Sequence, residues 1–489
     1  MSQYWILAAI ALPILGGIGI PLLPFRKRKW MLLYIETVVL LTSAVVGALL
    51  LSGKTEGFDV VRFVGDLSIS FKIDGMTMVF AGLVAILWPL ATLYAFEYMT
   101  HEEHEKTFFL FYTMTYGVTL GVAFASDMLS MYFFYELLTL VTVPLVMHTL
   151  KRDAILAVRK YLYYSLGGAA FALMGMIFLI VYGETCEFTL GGVFSAEVLS
   201  KHGQLLMWIY LFSFMGFGVK AAMFPTSGWL PQAGAAPTPV TALLHAVAVV
   251  NAGAFAIIRL TYYSFGAEFL RGSWVQNVCM ILAMFTIVYG CSRALKETHI
   301  KRRLAWSTVS NLSYIVFGAM IMTPQGLVGA LAHFVFHGVI KITSFLCAGA
   351  FMHQTGKAHV YELNGLGKNM KIVFGTFAVS ALGLMGVPGL AGFISKWNLV
   401  EAAVYGGNTV SYIGVACLLV SALLTAIYML SIVRRAFLPA TQETLPQPAK
   451  DPSWQMCLPL VVCAGATIVL GLCSTPLIDF FRAIAQGIY

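Results

Sequence analysis

The sequence predicts an all-α polytopic membrane protein of about 14 transmembrane helices, and three observations predict it. Of the 489 residues, 59% are hydrophobic and only 11% charged, with a mean hydropathy of +0.84. The apolar residues gather in runs of the ~20 residues that a helix needs to cross the hydrocarbon of a bilayer. The net charge is +8, but the basic residues sit in short clusters between the apolar runs. That distribution is a topology signal and not the footprint of a nucleic-acid-binding surface. Finally, the few ionisable groups left inside the runs concentrate between Lys220 and Lys341. An unpaired charge costs several kcal/mol in such a setting, so these groups belong against protein, a wet cavity or each other.

The expected spans are 4–23, 31–51, 75–97, 108–125, 128–149, 161–182, 205–230, 239–260, 275–292, 304–322, 327–351, 371–400, 411–432 and 456–476. The first is too long for a signal peptide, lacks its basic leader and is followed by further spans, so it reads as a retained helix. The seventh and twelfth are too long or too interrupted to be simple rods. Orientation follows from the Lys and Arg clusters. RKRK at 26–29 places the first loop in the cytoplasm. Alternation then sends HEEHEK at 101–106, KRD at 151–153 and RALKETHIKRR at 293–303 to the same side, with 353–371 and the Arg434–Arg435 pair. The poorly basic segments 52–73, 184–203, 261–273 and 322–326 fall outside, and both termini are expected outside, across a cell inner membrane.

Between the spans, FDVVRFVGDLSISFKIDG at 58–75 has period-2 character and predicts a hairpin on the outer face. The 151–160 connection should lie at the cytoplasmic interface, and QETLPQPAKDPS at 442–453 is a proline-bearing loop. The eight cysteines show no CxxC or CxxxH spacing, which speaks against a haem, iron–sulfur or zinc site. No cofactor and no metal is expected. KYLYYSLGGAAFALMG at 160–175 and RRLAWSTVSNLSYIVFG at 302–318 echo each other weakly. Both interrupted spans carry a lysine beside a proline or glycine break, a pattern of paired discontinuous helices found in transporters.

Seven residues are candidates for chemistry. Glu136 sits in MYFFYELLTLVTVP with at least seven uncharged residues on each side. Burial penalises its ionised form and a nearby cation restores it, so it can exchange a proton. Lys220 is its natural partner in composition; it precedes Pro225, where an interrupted helix frees carbonyls and admits water. His245 follows two prolines in APTPVTALLHA, with the polar Asn251 six residues on. A lone helical histidine is ordinarily a packing residue, and only its company makes His245 a candidate. His333, His337 and Lys341 fall at i, i+4 and i+8, drifting only about 80° over about 12 Å of one helix face. That is relay geometry, with imidazoles able to titrate near neutral pH. Lys396 completes the set in GVPGLAGFISKW, where Gly386, Pro388, Gly389 and Gly392 weaken the helix ahead of it. His299, Lys301, Arg302 and Arg303 fit equally a functional cluster or a set of positive-inside anchors, and Asp127 reads as interfacial.

The stretches KAAMFPTSGWLPQAGAAPTPVTALLHA, IKRRLAWSTVSNLSYIVFG, HFVFHGVIK, TGKAHVYELNGLGKNM and GVPGLAGFISKW resemble the antiporter-like subunits of respiratory complex I, of Mrp-type cation/proton antiporters and of membrane-bound energy-converting hydrogenases. The likeness runs over about residues 75–430. It implies fourteen helices with two inverted five-helix repeats, each with a discontinuous helix. The corresponding divisions are 1–107 for three N-terminal helices, 108–260 and 261–432 for the repeats, and 433–489 for a cytoplasmic loop and last helix. By resemblance, Glu136 and Lys220 form an ion pair, His245, His337 and Lys341 a central relay, and Lys396 the terminal carrier.

The chain departs from the pattern at Asn251, where many members carry a central lysine, at Gly234 in place of a histidine, and at His299 in place of an aspartate. No long lateral helix like that of the largest complex I subunit is expected. The mixture favours an Mrp-like or hydrogenase-like module over a quinone-reducing one. The expected function is proton or sodium translocation within a multisubunit membrane assembly, with redox chemistry confined to partner subunits. The alternatives are a stand-alone Na+/H+ antiporter subunit, or a metabolite transporter or scaffold that has lost the path. The expected partners are other membrane subunits, protons or sodium, and lipid, with no nucleic acid.

Overall fold

The computed structural model describes residues 2–53, 56–64, 67–438 and 449–488. Helices α1 (Ser2–Leu22) and α2 (Arg28–Ser52) form an antiparallel pair turned by the RKRK cluster. A hairpin of β1 (Phe58–Val64) and β2 (Leu67–Phe71) follows, with Phe58 opposite Phe71 and Arg62 opposite Ser68. Then come α3 (Gly75–Tyr98), α4 (Glu105–Phe124), α5 (Met128–Val146) and α6 (Arg152–Tyr182). Asp74 and Asp127 cap α3 and α5 by accepting from the amides of Thr77 and Ser130, which satisfies donors that a helix start leaves open.

The seventh expected span is interrupted, as the sequence suggested. Helix α7 (Ala196–Gly218) stops, and a short α8 (Trp229–Ala233) resumes after ten residues of turns. The eighth is divided as well, which the sequence reading did not foresee. Helix α9 (Thr238–Ala246) gives way at Val247 and Ala248 to α10 (Val249–Ile258), which runs on as a π-type turn through Phe265. After α11 (Ala267–Leu270) come α12 (Trp274–Lys296), α13 (Ile300–Met320) and α14 (Pro324–Thr355). The twelfth span breaks between α15 (Lys371–Met385) and α16 (Ala391–Tyr405), with Gly386 and Gly389 at positive φ in the gap. Helices α17 (Thr409–Phe437), α18 (Trp454–Leu472) and α19 (Thr475–Ala485) end the chain.

Among the described residues, eleven helices are long and apolar enough to cross a membrane. The three expected spans outside that group are α7, α13 and the divided α15–α16 pair, each diluted by polar residues or cut short. Burial sorts the helices into a centre and a rim. The most apolar stretch of 238–265 is 100% buried and that of α14 is 94% buried, against 33% for α2 and for α17. The rim helices present leucines and tryptophans outward, as expected of surfaces facing lipid or a partner.

Among the described residues, contacts between connections gather at two ends. At one end Arg28 binds Glu105, His101 stacks on His353, and the 299 and 359 segments form a β-bridge. At the other, Glu56, Lys72, Glu187, Tyr263 and Gly487 line a common cavity, and Arg271 donates to the Gly406 carbonyl. Some boundaries differ. The 151–160 connection is the opening of α6 rather than a loop, because Lys151 to Lys160 continues an amphipathic helical face with Ala154, Ala157 and Val158 buried. Residues 196–203 likewise belong to α7, and α19 follows the last expected span. Most of the 442–453 loop lies outside the described residues.

Candidate functional site

Helix α5 carries Glu136 about 12 Å from its start, at 1.5 Å per residue. Lys220 lies two residues past the end of α7, inside the break. Its ammonium sits 3.4 Å from the Glu136 carboxylate, donates to the Tyr135 carbonyl and lies 3.3 Å from the centre of the Tyr135 ring. Lys220 is fully enclosed, whereas the Glu136 side chain keeps 22% of its surface exposed. The break does not leave its carbonyls bare. The Tyr135 hydroxyl donates to Phe217 O and the Trp229 indole to Val219 O. Gly253 of α10 packs so closely here that a Cβ would stand 2.4 Å from the Ala221 nitrogen.

His245 ends α9, stacked on Phe345 of α14 at 4.7 Å between ring centres, with both ring nitrogens buried and without a hydrogen-bond partner. The break after it changes the backbone pairing. The amides of Val247 and Ala248 both donate to Leu243 O, so Leu244 O loses the amide that an unbroken helix would give it. Asn251 replaces part of the lost pairing, its Nδ2 donating to Ala246 O at 2.9 Å. Asn251 is therefore an internal brace for the break.

The three residues aligned by helix arithmetic do line one face of the continuous α14. His333 Nδ1 is 2.9 Å from the Ser395 hydroxyl on α16, and its ring stacks on Tyr314 at 5.1 Å. His337 stacks on His333 at 5.7 Å, and neither of its nitrogens has a partner. Lys341 donates to Leu304 O and to the Ser307 hydroxyl at 2.7 Å, and Tyr428 of α17 donates to the same hydroxyl. Lys396 folds back across the second break to donate to Leu384 O at 2.6 Å and Met385 O at 3.3 Å, with its ammonium 5.3 Å from the centre of the Tyr314 ring. Tyr314 is thus shared by His333 and Lys396.

The seven candidates fall into two sections. Glu136 and Lys220 form one. His245, His337, His333, Lys341 and Lys396 form the other, with His337 within electrostatic reach of the remaining four. Among the described residues, no side-chain contact joins Lys220 to His245. Among them, too, neither Lys341 nor Lys396 has a carboxylate partner; Lys341 rests on a carbonyl and a hydroxyl oxygen, and Lys396 on two carbonyl oxygens. No cluster of three or more His, Cys, Asp or Glu arranged to hold a metal occurs among the described residues.

The sequence reading undervalued Lys301. Grouped with the anchors of the basic cluster, it is buried and donates to Ala236 O at 2.8 Å, between α8 and α9. Arg303 also turns inward, to Tyr428 O and the Ser431 hydroxyl, leaving only Arg302 exposed. Helical spacing could have revealed this, since Lys301 shares a face with Thr308 and Leu304. Glu36 was missed altogether: a carboxylate inside α2 with one oxygen buried and unpartnered.

Comparison with known proteins accords with this architecture. Residues 125–437 match the family model for the transmembrane region of NADH:quinone oxidoreductase and Mrp antiporters. Residues 63–109 match that for the N-terminus of chain 5 of NADH-ubiquinone oxidoreductase (complex I). A curated relative, Na(+)/H(+) antiporter subunit A1 of Staphylococcus aureus (strain JH9), is 28% identical over 95% of this chain; the chain spans 60% of that relative's length. The fold is that of a chain in the Mrp complex from Dietzia sp. DQ12-45-1b, with a TM-score of 0.86 at 21% identity, covering 100% of this chain and 97% of that one. It also matches a chain of the membrane-bound sulfane sulfur reductase, an archaeal respiratory membrane complex, with a TM-score of 0.86 at 21% identity, covering 99% and 97%. With the interrupted helices and the buried Glu–Lys–His array described above, a family match over well over half of its length places this chain in the antiporter-like family shared by NADH:quinone oxidoreductase (complex I) and Mrp antiporters.

Proposed function

We propose that the chain translocates protons, or sodium in exchange for protons, as one subunit of a multisubunit membrane complex, through the array from Glu136 to Lys396. The observation that carries this reading is the pair of buried lysines without counter-ions. A charge enclosed among apolar helices without a carboxylate costs several kcal/mol. Lys341 and Lys396 are held only by neutral oxygens, an arrangement that accommodates an amine alternating between charged and neutral forms. Lys220 lies in the first helix break and Lys396 bridges the second, where carbonyls and water can take part. The unpartnered nitrogens of His245 and His337 supply intermediate stations.

In this reading the chain crosses a cell inner membrane fourteen times with both termini outside. Residues 1–107 precede two inverted repeats, 108–260 and 261–432, and 433–489 carry the last loop and helix. The helices interrupted after Gly218 and after Met385 occupy the fourth position of each repeat, and the further break between Ala246 and Val249 falls in the fifth helix of the first. Redox chemistry in partner subunits drives the transport. The second reading, a subunit of a stand-alone Na+/H+ antiporter, is favoured by the name of the curated relative.

Isolating the native complex and identifying its subunits separates the two drives: iron–sulfur or hydrogenase subunits support the first, small membrane subunits alone the second. In the same complex, Lys341→Ala is expected to impair transport strongly and His299→Ala weakly. Equal effects would overturn this assignment of the path.

A further inference from the structure

Helix α17 belongs to the rim, yet it turns a polar stripe inward. Ser421, Thr425 and Tyr428 fall at i, i+4 and i+7, on one helix face, and all three are buried. Two residues of α13, one turn apart, clasp Tyr428 against that stripe. Arg303 Nη1 donates to the Tyr428 carbonyl at 3.2 Å, and Ser307 Oγ accepts from the Tyr428 hydroxyl at 2.7 Å. Arg303 is fixed in turn, its Nε donating to Glu297 O and its Nη1 to Ser431 Oγ, which itself donates to Tyr428 O. Tyr428 is thus held at its backbone and at its hydroxyl by the helix that also carries a partner of Lys341.

The phenol has one hydrogen and two acceptors in reach, Ser307 Oγ at 2.7 Å and Thr425 Oγ1 at 3.1 Å. Thr425 gives its own hydrogen to Ser421 O, so its oxygen faces Tyr428 as an acceptor. Ser307 Oγ is also the side-chain partner of Lys341, at 2.7 Å. Lys341, Ser307, Tyr428 and Thr425 therefore stand in unbroken hydrogen-bond contact, and Cys291 Sγ follows 3.6 Å beyond Thr425. Among the described residues, Leu304 O is the one other hydrogen-bond partner of Lys341. The titratable groups facing Lys341 are His337 on its own helix, His245 on α9, Lys396 on α16 and Cys291 on α12, and they act on it through their charges rather than by hydrogen bonds.

We propose that Tyr428 is a positioning residue which, acting through Ser307, lets Lys341 pass between its charged and neutral forms within one fixed set of heavy atoms. The inference deepens the transport reading and rests on it. With Lys341 charged, the ammonium donates to Ser307, Ser307 to the phenol oxygen, and the phenol to Thr425. With Lys341 neutral, the amine gains a lone pair and the order reverses: Tyr428 donates to Ser307, and Ser307 to the amine nitrogen. No covalent bond forms or breaks in the hydroxyl chain; only its hydrogens rotate. Hydrogen bonds in series polarise one another where the surroundings are weakly polar. The aligned chain therefore spreads the ammonium charge over three hydroxyls, and the reversed chain satisfies the amine. Neither arrangement calls for a carboxylate, in keeping with the neutral oxygens that hold Lys341. A tyrosine retained only to pack α17 against α13 would not need its hydroxyl to lie between two acceptors, one of them the partner of a buried lysine.

The test compares Tyr428→Phe and Ser307→Ala with Glu136→Gln in the assembled native complex, reconstituted in vesicles with a pH-sensitive dye. Tyr428→Phe keeps the ring and is expected to slow transport about tenfold, the equivalent of one hydrogen bond at about 1.4 kcal/mol per factor of ten. Ser307→Ala should slow it at least as much, and the double variant no more than Ser307→Ala alone, because Tyr428 acts only through Ser307. Infrared difference spectra across a pH titration, with ring-deuterated tyrosine, should contain a phenol C–O band that Tyr428→Phe removes. Lys341→Met should remove the same band although the phenol is intact, an effect that a packing role would not produce; this comparison stands even if Tyr428→Phe fails to assemble. Loss of transport in Glu136→Gln with an unchanged rate in Tyr428→Phe, or a phenol band that persists in Lys341→Met, overturns the inference and leaves the transport reading standing. Full transport in Glu136→Gln overturns the transport reading instead.

Discussion

Substituting Gly392 tests whether the second helix break is held as tightly as its contacts imply. A Cβ at Gly392 would stand 1.9 Å from Gly383 O. Bringing that to the 3.4 Å at which ordinary contact begins requires α16 to move away from α15 by about 1.5 Å. The carbonyl is backbone at the end of a packed helix, so no side chain can turn aside to make room. Overpacking of this kind costs about 1–3 kcal/mol. The same displacement pulls Lys396 from Leu384 O, now 2.6 Å away, toward or past the hydrogen-bond limit of about 3.2 Å. Gly392→Ala is therefore expected to lower thermal stability and to depress transport strongly. Gly375→Ala on α15 is the control, because nothing lies within 4 Å of its Cβ; the substitution favours helix and should leave both quantities at or above the starting level. Equal behaviour of the two variants in unfolding and in vesicle transport would refute the claim that close backbone packing positions Lys396.

Asp74→Asn should destabilise the protein by about 3–5 kcal/mol by stranding the enclosed Arg259, whose guanidinium grips both carboxylate oxygens at 2.7 Å. Pairing it with Arg259→Met should recover most of the loss in a thermal unfolding assay. Asn251→Ala leaves Ala246 O unsatisfied at the α9–α10 break, a cost of about 1–3 kcal/mol, and should speed hydrogen exchange at Val247 and Ala248. His299, at the surface end of α13, is held down to about 4, first by burial and then by the charges of Lys301 and Arg302. Its folded form is the neutral ring, so its stabilising contribution is complete above 6.5 and is lost as pH falls toward 4. Protease sensitivity of the 353–370 segment bridged to it should rise over that window, and His299→Gln should flatten the response.

The helices were legible where composition alone decides, and the interrupted spans were legible because glycine and proline announce them. The break between α9 and α10 was not legible: HAVAVVNAG contains no proline, and the irregularity shows only in how Val247 and Ala248 share Leu243 O. The spacing of His333, His337 and Lys341 correctly placed them on one face, because a 32-residue helix preserves its period. Their partners were beyond reach. Ser395, Ser307 and Tyr428 come from helices far along the chain, and a lone serine or tyrosine in a span carries no signal. Asn251 looked like a gap in a path and proves to be a brace. The echo between 160–175 and 302–318 joins the third span of one expected repeat to the second of the other, so shared small residues account for it better than common descent.

The most direct test of the central claim is proton uptake or release by vesicles carrying the assembled complex with Glu136→Gln or Lys220→Ala. In the proposed function the 3.4 Å pair at the first break begins the path, so each variant is expected to assemble normally and to abolish ion movement. Near-normal transport in both assembled variants would contradict the account.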